Sequence, residues 1–86
     1  MHRHATVTCV IGGSLHPVSY TTGMFWRVRD FVYMRIMIEL GFAPAAQTDD
    51  IELMQDGHAL DHERQVDDQI KSGDMLYVRR CGEIEA

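Results

Sequence analysis

Val28, Val32, Ile36 and Leu40 recur at every fourth position, and this row constrains the fold more than any other feature of the sequence. Residues four apart stand nearly above one another on a helix, so the row predicts one helix over Met24 to Leu40 with a continuous apolar face. Phe25 falls on the same side. Thr22 or Gly23 is placed to cap its start, and Gly41, suited to the left-handed position after a helix, stops it. At about 1.5 Å per residue such a helix is roughly 25 Å long, enough to cross a small sheet diagonally.

The rest of the chain reads as strands and turns. Ala5 to Ile11 is rich in β-branched residues. Gly12-Gly13 accepts positive φ and suits a tight hairpin turn into Leu15 to Thr22, where Pro17 is tolerable on an edge or near a strand start. Ala43 to Asp50 reads as a loop and Ile51 to Gln55 as a short strand. Asp56-Gly57 signals a turn into a brief strand at His58 to Leu60. Asp61 to Gln69 is polar, with Val66 and Ile70 as apolar anchors, and Met75 to Val78 is the last strand. The order is strand, strand, helix, strand, short strand, strand. A helix over one face of a mixed sheet of four to five strands is an α+β arrangement. The expected domain is residues 5–80, between a disordered stretch 1–4 and a tail 81–86.

Eighty-six residues suffice for one core and not two. The net charge of −5, with Lys and Arg scattered or beside carboxylates, opposes a nucleic-acid partner. The apolar stretch from Met24 to Leu40 is broken by Arg27, Arg29, Asp30, Arg35 and Glu39, so no membrane span is expected. MHRHATVT has no apolar leader core, and the expected location is cytoplasmic. Cys9 reads as a small core hydrophobe and Cys81 as exposed, without an activating context for catalysis. His2 with His4 and His58 with His62 lack a third ligand, and the aspartates lack the calcium-loop spacing. Neither a metal nor another cofactor is expected, nor a catalytic centre.

Leu53-Met54-Gln55-Asp56-Gly57-His58-Ala59-Leu60, followed by Val66 to Val78 with its Gly73-Asp74 turn, resembles the ubiquitin-like (β-grasp) superfamily. Small stand-alone bacterial members, including accessory proteins of type VII secretion, are the nearest comparison. The resemblance implies partner binding through the exposed face of the sheet, at positions that fall here on Met54, Tyr77 and Arg79. Arg79 is charged where the family shows an apolar residue. The family's conjugated members end in Gly-Gly, whereas this sequence ends Arg80-Cys81-Gly82-Glu83-Ile84-Glu85-Ala86. The expectation is therefore a protein–protein interaction module that is not conjugated. The alternatives are a protein modifier or sulfur carrier with a divergent or processed end, and a small accessory subunit of a multi-component enzyme or secretion system.

The helix also carries a second apolar group, Met24, Phe31, Met34 and Ile38, read as pointing roughly opposite the first row. Either the core is wider than usual, or this face meets a partner, a second copy of the chain among the options.

Overall fold

The computed structural model describes residues 3–22, 26–41 and 48–80. Strands β1 (Arg3–Ile11) and β2 (Ser14–Thr22) form an antiparallel hairpin whose register runs from Ile11 opposite Ser14 to Arg3 opposite Thr22. Gly12 and Gly13 turn it with φ of +55° and +84°, the pair of positive values that a two-residue turn of matching twist requires. β1 begins at Arg3, so Arg3 and His4 belong to the sheet rather than to a loose end. Hydrogen-bonded and non-bonded pairs alternate away from the turn, which puts Pro17, opposite Thr8, at a non-bonded site. Its missing N–H therefore faces the free edge of β2, where it costs the ladder nothing and blunts the edge.

β3 (Ile51–Gln55) and β4 (His58–Ala59) flank the Asp56-Gly57 turn, and β5 (Met75–Arg80) runs between β1 and β3. β5 is parallel to β1 and antiparallel to β3, giving one five-stranded mixed sheet in the order β2-β1-β5-β3-β4. This is the β-grasp arrangement that the order of sequence elements implied.

The helix starts later than the sequence suggests. α1 (Val28–Phe31) has Arg27 as its cap, whose backbone N–H donates to Asp30 Oδ2 at 3.2 Å, so the helix owes its start to Asp30 and not to Thr22 or Gly23. It continues without a break into a π-helical segment, Val32–Glu39, and ends at Gly41 with φ +66°. Val28, Val32 and Ile36 are fully buried against Val7, Cys9, Leu53 and Leu76 on the inner face of the sheet. Phe31 is buried with them, its ring edge-on to Tyr20 at 5.9 Å and 90°. Its placement on the outer face is thus corrected. At 100° per residue, Phe31 stands only about 60° from Val28, well within a buried stripe.

The π winding has a further effect. Closing each turn at i→i+5 brings Met37 round under Val32, so Met37 is half-buried against the core, its sulfur accepting the Thr48 hydroxyl at 3.7 Å. The second half of the chain is tied to the helix start by backbone bonds. Val28 N–H donates to Arg64 O at 2.9 Å, Arg29 N–H to His62 O at 3.0 Å and Val66 N–H to Trp26 O at 2.8 Å. Val66 opens the short helix α2 (Val66–Gln69), and it is buried together with Ile70, as expected of the two anchors.

Candidate protein-binding face

Alternation along the strands decides what the open side of the sheet displays. Cys9, Leu53 and Leu76 point inward and are fully buried, so their neighbours Val10, Met54 and Tyr77 point to the side the helix does not cover. The register lines these neighbours up. Leu15 pairs with Val10, Val10 with Tyr77, Tyr77 with Met54, and Met54 with Ala59. One apolar side chain from each of the five strands therefore stands in a single row. Four inter-strand steps of about 4.8 Å make the row roughly 19 Å long.

A second row, Pro17, Thr8 and Met75, lies beside the first on β2, β1 and β5. Leu15, Met75 and Tyr77 are between 45% and 63% exposed, far more than a side chain of the core. The Tyr77 hydroxyl donates to Met75 Sδ at 3.4 Å, which fixes both side chains over the centre of the band.

Across the band from Met75, Arg79 faces Glu52. Its Nε and Nη2 both donate to Glu52 Oε2, at 3.0 and 2.9 Å, so the charge brought by Arg79 is answered within the face. Met54, Tyr77 and Arg79 are thus brought onto one surface. Sequence reasoning missed the rest of it: Leu15, Val10, Ala59, Met75 and Glu52. The signal was present in the period-2 patterns of β1 and β5, but the pairing that joins them was not.

The helix contributes a separate surface. Tyr33, Met34 and Ile38 are 43–54% exposed on its outer side, while Phe31 is in the core and Met24 lies outside the described residues. At the helix start Arg29 bonds Glu63 at 2.6 and 3.1 Å and Asp49 at 2.8 Å, and Arg27 reaches Glu63 at 3.5 Å. The Glu63 carboxylate first, and Asp49 second, hold the Arg29 guanidinium above its ordinary value. These contacts clamp the loop before α2 to the helix and leave the sheet face free.

A shallow polar cleft of about 390 Å³ lies beyond β4, lined by Ala59, Leu60, His58, Arg64, Asp61, Asp68, Gln55 and Gln69. Much of its polar lining is already engaged: Gln69 bonds the backbone of Asp61 through both its amide atoms at 2.8 Å, and Gln55 donates to Asp74 at 2.7 Å. Burial pushes the Cys9 thiol up to about 11, which leaves it protonated and a poor nucleophile. Among the described residues, no group of three or more His, Cys, Asp or Glu side chains is placed to hold a metal ion. No helix among them is long and apolar enough to cross a membrane. Cys81 and His2 lie outside them.

No family model matches the sequence, and no curated protein matches it. Solved structures do match in shape. The solution structure of a protein from Arabidopsis thaliana has a TM-score of 0.68 at 18% identity, over 95% of this chain and 89% of that one. The ubiquitin-like domain of another Arabidopsis thaliana protein gives 0.64 at 14% identity, over 98% of this chain and 84% of that one. A protein designed on the basis of ubiquitin gives 0.63 at 10% identity, covering 96% and 95%. The fold is ubiquitin-like.

Proposed function

We propose that this ubiquitin-like domain is a cytoplasmic protein-binding module, without chemistry of its own, that engages a partner protein through the open face of its sheet. The observation that carries the reading is the row Leu15, Val10, Tyr77, Met54 and Ala59, which spends one outward position of every strand on an apolar side chain. A monomer gains nothing from such a band in water, and contiguous exposed apolar surface on a small domain marks a place of contact. Tyr77 at its centre is the natural anchor: half exposed, aromatic and held by its bond to Met75.

The Arg79–Glu52 pair shapes the choice of partner. A partner that lays an apolar group over that end of the band must strip water from a doubly hydrogen-bonded ion pair without replacing it, which costs affinity. A partner that offers a hydrogen-bonding group there loses nothing. The apolar band then supplies affinity, and the ion pair selects among the apolar segments that could cover it.

The test is photo-crosslinking from position 77 in an extract of the native host, with the captured proteins identified by mass spectrometry. The expected result is a protein captured by the wild-type face and lost in a Met54→Ser, Leu15→Ser variant that melts like the wild type. Capture unchanged by those substitutions would refute the reading.

A further inference from the structure

The outer side of the helix presents an apolar surface remote from the sheet band. Ile38 follows Met34 by four residues and Tyr33 by five, the two spacings that share a face in this π-wound segment, and all three are about half exposed. Arg35 and Glu39, an intrahelical ion pair, border the patch.

The Arg35 guanidinium is only partly used. Its Nη1 donates to Glu39, its Cζ lies 5.8 Å from the Trp26 ring centre, and its Nε, shut off from solvent, has no acceptor among the described residues. A guanidinium offers five N–H donors in a fixed fork, and with Nε buried and the side chain 27% exposed it is the outer nitrogens that have room for a second carboxylate.

We infer that this face is a two-fold interface between two copies of the chain, with their helices packed antiparallel. Such an axis brings residues i and j together where their numbers have a constant sum. An axis beside Ile36 sets Met34 against the second copy's Ile38, and Ile38 against its Met34. Within about 3 Å of rise, a gap that two long side chains span, the same axis sets Arg35 against the second copy's Glu39. The patch is therefore complementary to itself in both shape and charge, apolar against apolar and cation against anion, twice over. That complementarity favours a second copy over a foreign protein. The net charge of −5 opposes association of like chains, but the charges bordering this face cancel in pairs.

Three half-exposed side chains and their rim bury on the order of 800–1,000 Å² in total, below the size of a standard interface, so the dimer is weak, with a dissociation constant of roughly 10–500 µM. The surface is separate from the sheet band, so a dimer of this kind carries two copies of that band and is compatible with partner binding.

Sedimentation equilibrium of the whole chain from about 10 µM to about 1 mM tests the inference. The expected result is a monomer–dimer equilibrium that a Met34→Gln, Ile38→Gln variant weakens at least ~10-fold. Glu39→Arg, which places like charges together, weakens it likewise, and Arg35→Glu with Glu39→Arg restores it to within about threefold. A wild type that stays monomeric at the highest concentration overturns the inference. So does a dimer indifferent to positions 34 and 38 but lost in Tyr77→Ser, which assigns the contact to the sheet. Circular dichroism of each variant is measured alongside. Unfolding of the Met34→Gln, Ile38→Gln variant also overturns it, because those side chains are then packed within their own chain.

Discussion

Replacing Met37 by Ala reads out how the helix is wound. In an α-helix phased on Val28, nine steps of 100° carry Met37 to about 180° from the buried face, straight out to solvent. In the π-wound segment it turns inward, half-buried against the core and touching Thr48. Truncating a fully buried Met to Ala costs about 2–5 kcal/mol, so a half-buried one costs about 1–2 kcal/mol. With α winding the same change is neutral or slightly stabilising, because Ala is the better helix former. Urea unfolding followed by circular dichroism measures the difference, and the midpoint is expected to fall with the slope unchanged. In a thermal melt each kcal/mol moves the transition of a domain this size by about 4–8 °C. Ile38→Ala is the internal control: the side chain is 54% exposed, and its loss is expected to cost under about 1 kcal/mol in the monomer. If Met37→Ala is silent while Ile38→Ala is costly, the winding and the burial argued from it are wrong.

Phe31→Ala is expected to cost about 3–5 kcal/mol, enough to unfold much of a domain this small, since the ring is fully buried edge-on to Tyr20; a loss under about 1 kcal/mol in the same urea experiment contradicts its place in the core. Gln69→Ala removes both amide bonds to the Asp61 backbone and is expected to cost about 1–2 kcal/mol, with faster hydrogen exchange at Asp61 as its local signature. Burial raises the Cys9 thiol from 9.0 to about 11. Stability from keeping it neutral is therefore complete below pH 9 and is lost as the pH rises through about 11. The loss amounts to as much as about 2–3 kcal/mol, and Cys9→Ala should flatten that part of the pH profile; identical slopes would exclude the thiol as its source.

The elements were legible because their signals are local. Gly12-Gly13, Asp56-Gly57 and Gly41 stand where the backbone turns or stops, and the row Val28, Val32, Ile36 does face the sheet. The helix start was misread because Thr22 and Gly23 look like caps in isolation. What settles the matter is a set of bonds from His62, Arg64 and Val66, residues far along the chain that hold Trp26, Val28 and Arg29 in place, with Arg27 extended just before the first turn. Phe31 was misplaced by grouping apolar residues into two rows, although its angle from Val28 already put it inside. Met37 is a different case. Its inward position comes from a winding that a 3.6-residue period does not describe, so a helical wheel assigns it to the wrong side.

The candidate face was legible only in part for a physical reason. Tyr77 and Met54 are found on the outward face by alternation alone, once β5 and β3 are recognised as strands. That they stand beside each other, and beside Val10 and Leu15, depends on register, and register joins residues more than sixty positions apart. Each of these residues looks like ordinary strand composition where it stands in the sequence. Val10 directly follows the buried Cys9, Leu15 follows a glycine turn, and Met75 opens a strand. Apolar surface acquires meaning as a binding face by contiguity, and contiguity is created when β5 slots between β1 and β3. The same insertion buries Leu76 and Val78 on the other side. The step that completes the core therefore also assembles the band, and a substitution that slipped β5 by one residue would exchange the two faces. Folding and the proposed recognition depend on one pairing register, so capture of a partner by the band is expected to be lost with any change that shifts that register, even one distant from the band.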